Sequence, residues 1–116
     1  MATLCPALEE TAMPRLTTNP PALSHLEQLV QKARKLRHKG ETRKALQTLR
    51  EACITHEHCA WVWTLYGSYL TQSHRLEEAR QAFRHALWLR QSNGDVRRAR
   101  STRALLEGLP LPNFAA

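Results

Sequence analysis

The stretch WVWTLYGSYLTQSHRLEEARQAFRHALWL, residues 61–89, decides the fold of this chain. It contains two segments in which apolar and small side chains recur every three or four residues, which is the spacing of one helix face. Ser73 and His74 interrupt the pattern between the two segments. No part of the stretch alternates with the period of two that a half-buried strand requires. It therefore predicts two helices joined by a tight turn.

The same periodicity continues on both sides and predicts an all-α fold of five helices. Ser24 and Glu27 form a capping box at the first start, because the hydroxyl and the carboxylate can each satisfy a backbone amide. Gly108 is expected to take the left-handed conformation that ends many helices. The helices are predicted at about 24–38, 41–56, 60–72, 75–91 and 95–107.

A translation by 34 residues places one helix pair on the other. Small residues fall on small residues and large apolar residues on large ones, with one change of polarity, where Leu46 meets Arg80. Such internal repetition is typical of helical repeat proteins. The superimposed pairs are Ala33 with Gly67, Leu36 with Leu70, Ala45 with Ala79, Leu46 with Arg80, Leu49 with Phe83, and Ala52 with Ala86.

Small residues in this repeat predict where the helices approach each other. Two antiparallel helices come close only where one of them presents small side chains, here Gly67 and Ala79. We expect Trp63, Leu70 and Phe83 to fill the volume around that contact.

The second copy carries Trp63-x2-Tyr66-Gly67-x2-Leu70, followed by Ala79-x3-Phe83-x2-Ala86. This pattern resembles the tetratricopeptide repeat. The resemblance implies antiparallel helix-turn-helix units in a right-handed superhelix, with repeats at about 26–59 and 60–93 and a capping helix at about 95–107. It also implies a concave surface, formed by the first helices of successive repeats, that binds a peptide or helix of a partner protein.

The ends of the chain differ in character from its centre. Residues 1–23 contain four of the six prolines and are predicted to be a flexible leader before a domain at 24–108. The capping helix is expected to bury Val96, Ala99, Leu105 and Leu106 and to present arginines to water. The apolar tail, residues 109–116, is expected either to fold over that helix or to dock in a partner's groove.

Composition limits the classes of function. The chain has 17 Lys+Arg against 10 Asp+Glu and a formal net charge of +7, which favours an acidic partner. No apolar run is long enough for a membrane span, and no secretory signal is visible. An odd count of three cysteines favours reduced thiols and a cytoplasmic location.

These observations predict a non-catalytic adapter that binds an acidic peptide or helix of another protein. Arginine can form two hydrogen bonds to a carboxylate, and tryptophan supplies a flat apolar anchor. The resemblance places the partner-binding residues at Glu27, Val30, Arg34, Arg37 and His38 of the first helix, at Trp61, Thr64, Ser68, Thr71 and Gln72 of the third, and at Arg98 and Thr102 of the cap.

Two other functions compete with the adapter. The basic run at residues 32–50 is the footprint expected of a nucleic-acid-binding protein, although it lacks interleaved aromatic residues. A repeat count of two favours self-association, and hence an oligomerisation module. Cys53, His56, His58 and Cys59 contain metal-binding atoms at a spacing that matches no known finger, and we predict no metal, no cofactor and no catalysis.

Overall fold

The computed structural model describes residues 24–110, and all of the regular structure there is helical. The all-α prediction is confirmed, and every predicted helix end lies within one residue of the observed one. The predicted leader and residues 111–116 of the tail lie outside the described residues. The helices are α1 (His25–His38), α2 (Thr42–Thr55), α3 (Ala60–Gln72), α4 (Leu76–Ser92) and α5 (Val96–Glu107).

The chain divides into two compact units, of which the first ends at Cys59 and the second begins at Ala60. In the N-terminal unit α1 packs against α2, and we call this pair the first hairpin. In the C-terminal unit α4 packs against both α3 and α5, and α3 with α4 is the second hairpin. The division falls at the boundary that the 34-residue translation predicts.

The capping box predicted at the start of α1 is present. The Glu27 amide donates to the Ser24 hydroxyl at 3.1 Å, and the Ser24 amide donates to the Glu27 carboxylate at 2.9 Å. At the start of α5 the Asp95 carboxylate accepts from the Arg98 amide at 3.2 Å. Both caps satisfy amides that a helix start would otherwise leave without a partner.

Three turns share one backbone geometry. The central residue is left-handed in each, with φ of 85° at Gly40, 63° at His74 and 71° at Gly94. The first two lie 34 residues apart, so the repeat extends to the turn that joins each hairpin. In every turn the next residue donates its amide to the carbonyl five positions earlier at 2.9 Å, namely Glu41 to Leu36, Arg75 to Leu70 and Asp95 to Arg90.

The prediction that Gly108 is left-handed is wrong. Its φ is −78°, in the right-handed region, and its amide donates to the Ala104 carbonyl at 3.0 Å. The last turn of α5 therefore continues in helical hydrogen bonding through Gly108 instead of reversing there.

The buried side of α5 also differs from the prediction. Ala99 and Thr102 are 8% and 2% exposed, whereas Val96 and Leu105 are 68% and 43% exposed. Thr102 can be buried because its hydroxyl donates to the Arg98 carbonyl at 2.8 Å, which removes the cost of an unpaired polar group. The buried side of α5 therefore includes the polar Thr102, whereas Val96 and Leu105, which the apolar pattern predicts to be buried, are exposed.

The predicted contact between Gly67 and Phe83 forms the centre of the second hairpin. A Cβ atom added to Gly67 would lie 2.7 Å from Cε1 of Phe83, closer than real Cβ contacts. Phe83 is 2% exposed, and Leu70 and Ala79 are fully buried. Trp63 is only half-buried, where it packs against Ala60, Ala86 and Leu89.

Two arginines lie inside the C-terminal unit. Arg80, which the repeat aligned with Leu46, donates to Glu77 at 3.1 Å and to the Pro110 carbonyl. Arg90 is 6% exposed and lies 3.6 Å from the Asp95 carboxylate. Both side chains can be buried because oxygen atoms of the same unit lie close enough to compensate their positive charges.

The cysteines do not share one state. Cys59 is disulfide-bonded, so the expectation that every thiol is reduced is wrong. Cys53 carries a buried thiol, and burial raises the pKa of that thiol well above its usual value.

In residues 24–110, no helix has both the length and the apolar character that crossing a membrane demands.

Candidate protein-binding surfaces

Two large apolar side chains are exposed at equivalent positions of the two hairpins. Ile54 is 65% exposed near the end of α2, and Trp88 is 58% exposed near the end of α4. The two residues lie 34 positions apart, so each hairpin presents one apolar side chain at the same place on its second helix. Single exposed apolar residues are common on protein surfaces, so it is the recurrence of these two at equivalent positions that makes them candidates for an interaction site.

An arginine precedes each of these side chains by one helical turn. Arg50 lies four residues before Ile54, and Arg84 lies four residues before Trp88. Residues with this spacing are neighbours on a helix surface. Both arginines are exposed, and neither has an ion pair with any acid of the described chain. We call Arg50 with Ile54 and Arg84 with Trp88 the arginine–apolar pairs.

A row of rings supports Trp88 in the second hairpin. The His85 ring stacks on Trp88, with a centroid distance of 6.1 Å and an interplanar angle of 28°. On its other side His85 meets Trp63 of α3 at 4.4 Å, and Trp63 meets Tyr66 at 6.5 Å. Because Trp63 is packed on buried residues, the row limits the orientations that Trp88 can adopt. A side chain held in this way loses little entropy when a partner binds.

The first hairpin lacks such a row. The positions that correspond to His85 and Trp63 hold Glu51 and Leu29. Ile54 therefore stands beside a carboxylate, and only the second hairpin combines an arginine with a supported aromatic side chain.

The predicted binding residues of α1 separate into two groups. Val30 is 3% exposed and cannot contact a partner, so its assignment to a binding surface is wrong. It belongs to the apolar side of α1 that packs in the N-terminal unit. Arg34, Arg37 and His38 are all exposed, as a binding role requires.

The predicted residues of α3 are less accessible. Trp61, Thr64 and Ser68 are half-buried and lie along one side of the helix at spacings of three and four residues. The Thr64 hydroxyl donates to the Ala60 carbonyl at 2.9 Å, while Gln72 is exposed.

On α5, Arg98 is exposed, and its guanidinium lies 3.1 Å from the Asp95 carboxylate. Thr102 is buried, which makes its assignment to the surface wrong. Burial raises the pKa of Asp95, but the hydrogen bonds from the Arg98 amide and guanidinium and the nearby charge of Arg90 outweigh it and hold that pKa below its usual value.

The sequence reasoning missed both arginine–apolar pairs. The 34-residue translation does place Ile54 on Trp88 and Arg50 on Arg84. These four residues lie outside the pattern of small and large residues that the resemblance follows, which is why they were not selected. A translation extended to all positions would have found them.

His25, at the start of α1, and His56, directly after α2, form a ring contact. The His25 and His56 rings are 5.7 Å apart, and among residues 24–110 no three metal-binding side chains converge. Burial, together with the nearby His25, lowers the pKa of His56. In the described structure Nε2 of His56 is buried without a hydrogen-bond partner.

Comparison of the chain with protein-family models, with curated proteins and with solved structures found no match in any of the three. The resemblance to the tetratricopeptide repeat therefore stays a prediction from the residues that carry it.

Proposed function

We propose that this protein is a non-catalytic adapter of the tetratricopeptide type that binds an acidic, amphipathic segment of a partner protein. The observation that carries the proposal is the arginine–apolar pair repeated on the second helix of both hairpins. An apolar side chain of the partner would cover Ile54 or Trp88, and a carboxylate would accept hydrogen bonds from Arg50 or Arg84.

The charge of the chain supports an acidic partner. The formal net charge is +7, and attraction between opposite charges speeds the encounter of two proteins. The hairpins are already folded, so a partner segment would bear most of the ordering cost.

Selection of peptides from a displayed random library tests the proposal. We expect the selected peptides to be enriched in sequences that combine Asp or Glu with large apolar residues. Trp88→Ala should weaken their binding by at least about tenfold, since truncating a central aromatic contact of an interface commonly costs 2 kcal/mol or more, about a thirtyfold change.

Matched controls separate specific contacts from general charge. Arg84→Glu should weaken binding more than Arg97→Glu, because both arginines are exposed but only Arg84 stands beside Trp88. Leu105→Ala is the apolar control, since Leu105 is 43% exposed and lies on α5. Equal effects of test and control variants, with unchanged circular dichroism, would refute the proposed pairs.

The exposed arginines of α1 are tested separately. Arg34→Glu combined with Arg37→Glu is expected to abolish binding if the partner lies along the first helices, as the resemblance implies. If this variant retains its partners while Trp88→Ala loses them, the surface of the second helices is the binding surface.

A nucleic-acid-binding function is the second candidate, because all eight basic residues of the run at 32–50 are exposed. Lys44 forms an ion pair with Glu41 at 3.1 Å. A mobility shift with a strong dependence on salt, without any protein partner, would favour this function.

Oligomeric state and cellular location are separate predictions. An oligomerisation module would show, in light scattering, a molecular mass that rises from the lower to the higher of two protein concentrations.

A cytoplasmic location is proposed from the sequence, and the disulfide at Cys59 weighs against it because disulfides persist mainly in oxidising compartments.

A further inference from the structure

The start of α5 and the turn before it line a cavity of about 470 Å³. Gln91 of α4, Gly94 of the turn, and Val96, Arg100 and Arg103 of α5 contribute to its wall. The volume is within the roughly 300–1,000 Å³ typical of binding pockets. None of these residues belongs to an arginine–apolar pair.

Val96 and Ala99 form the apolar part of the cavity lining. Ala99 is 8% exposed and lies on the side of α5 that packs against α4. Val96 is 68% exposed although it is a large apolar residue at the start of the helix. Together they offer an apolar contact that residues 24–110 leave partly uncovered.

The cavity is also lined by two arginines, Arg100 and Arg103. Arg100 and Arg103 are exposed, and neither lies at ion-pair distance from an acid in residues 24–110. Asp95 also lines the cavity, but its carboxylate accepts hydrogen bonds from the Arg98 amide and guanidinium. It also lies 3.6 Å from Arg90, so its charge is already shared.

The spacing of these residues brings apolar surface and charge together. Arg100 and Arg103 are three residues apart and Val96 is four residues before Arg100, so the three share one side of α5. A segment lying there meets an apolar patch and two guanidinium groups at once.

We propose that this cavity is a second docking site, which binds an acidic segment of another protein through an apolar side chain on Val96 and Ala99 and carboxylates on Arg100 and Arg103. Charge complementarity selects this occupant. A second copy of the chain would bring a like net charge of +7 to a basic site. Nucleic acid would find no aromatic side chain among the residues that line the cavity on which to stack a base.

The test uses the full chain labelled with ¹⁵N and a short synthetic peptide with blocked ends, in which leucines alternate with glutamates. We expect chemical-shift changes at the amides of Gly94, Ala99 and Arg100. Arg100→Ala combined with Arg103→Ala should weaken binding at least about tenfold, because charge-assisted hydrogen bonds are the strong contacts of such a site.

The matched control is Arg43→Ala combined with Arg97→Ala, which removes the same charge from exposed arginines that do not line the cavity. We expect it to weaken binding less than threefold. Val96→Ser tests the apolar part of the lining without changing a charge, and it should also weaken binding. Equal losses in the test and control doubles would overturn the proposal.

Three further results would overturn it. The first is that a peptide with glutamine in place of glutamate produces the same shifts with equal affinity, which would show that the carboxylates are not needed. The second is that a single-stranded oligonucleotide produces larger shifts than the peptide. The third is that the same amides shift with protein concentration alone, which would indicate that a second copy of the chain binds there.

The proposal stands apart from the proposed function. If Trp88→Ala leaves the shifts at Gly94 and Ala99 unchanged, the cavity binds independently of the arginine–apolar pairs. If Arg100→Ala with Arg103→Ala abolishes those shifts while peptides selected on the second helices still bind, the two sites are separate.

Discussion

The two hairpins have the same turn but fill their helix contact with different residues. Ala33 and Leu49 occupy the contact positions of the first hairpin, and both are fully buried. Gly67 and Phe83 occupy the same positions of the second, where a Cβ on the glycine would collide with the ring. The translation thus aligns Ala33 with Gly67 and Leu49 with Phe83, a small and a large buried residue in each hairpin. The repeat preserves the sum of the two volumes and not the individual residues.

The hairpins also differ in how they treat polar groups. Position 46 is a buried leucine in the first hairpin, and the equivalent Arg80 is buried in the second. Arg80 meets the Pro110 carbonyl, an acceptor from the segment after α5. A polar residue can be buried at position 80 because the segment after α5 supplies an acceptor for it.

The largest expected effect is the loss of the ring at the centre of the second hairpin. Phe83→Ala should lower the free energy of unfolding by about 3–5 kcal/mol, because it leaves a cavity beside Gly67. Urea denaturation followed by circular dichroism measures it. A loss below about 1 kcal/mol would show that the ring is not a core residue.

A glycine-to-alanine change tests the volume match directly. Gly67→Ala should lower the free energy of unfolding by about 1–3 kcal/mol, because Phe83 is buried and cannot move aside easily. Adding Phe83→Leu recreates the residues of the first hairpin and should recover part of that loss. Ser68→Ala on the same helix is the control and should cost under about 0.5 kcal/mol. If the two effects simply add, the matched-volume interpretation is wrong.

The turns offer a smaller test of the comparison. His74 has φ of 63° where the first hairpin has Gly40 at 85°. A left-handed conformation costs a residue with a Cβ about 1–2 kcal/mol, so His74→Gly should stabilise the second hairpin by about 1 kcal/mol. Gly40→Ala should destabilise the first by a similar amount. The melting temperature should rise in His74→Gly and fall in Gly40→Ala, relative to the unchanged protein. A change in the same direction in both variants would contradict this.

The smallest expected effect concerns pH and the N-terminal unit. The folded pKa of His56 is lower than its unfolded pKa, so the unfolded chain binds more protons as pH falls below about 6.5. The contribution of His56 to stability should therefore decrease as pH falls through that range. His25→Gln should raise the pKa of His56 in an NMR titration, though not fully to its usual value, because burial remains. An unchanged pKa would show that His25 does not affect it.

The ends of the helices could be predicted because local signals specify them. The capping residues Ser24 and Glu27 and the breaks at Gly40 and Gly94 act through their own backbone. The surfaces were less predictable, as Val30 shows. Which apolar residue of a helix is buried depends on the partner helix, and a pattern along one segment does not contain that information.

The amino-acid sequence by itself determined the five helices, their turns and the 34-residue relation between the hairpins, because hydrogen bonding and side-chain size act over short distances along the chain. Only the tertiary structure decided that Thr102 and Arg90 are buried, that Val96 and Trp88 are exposed, and that Arg100 and Arg103 border an apolar cavity. Those properties depend on how the helices pack, since burial is set by whatever packs against a side chain and not by the side chain itself.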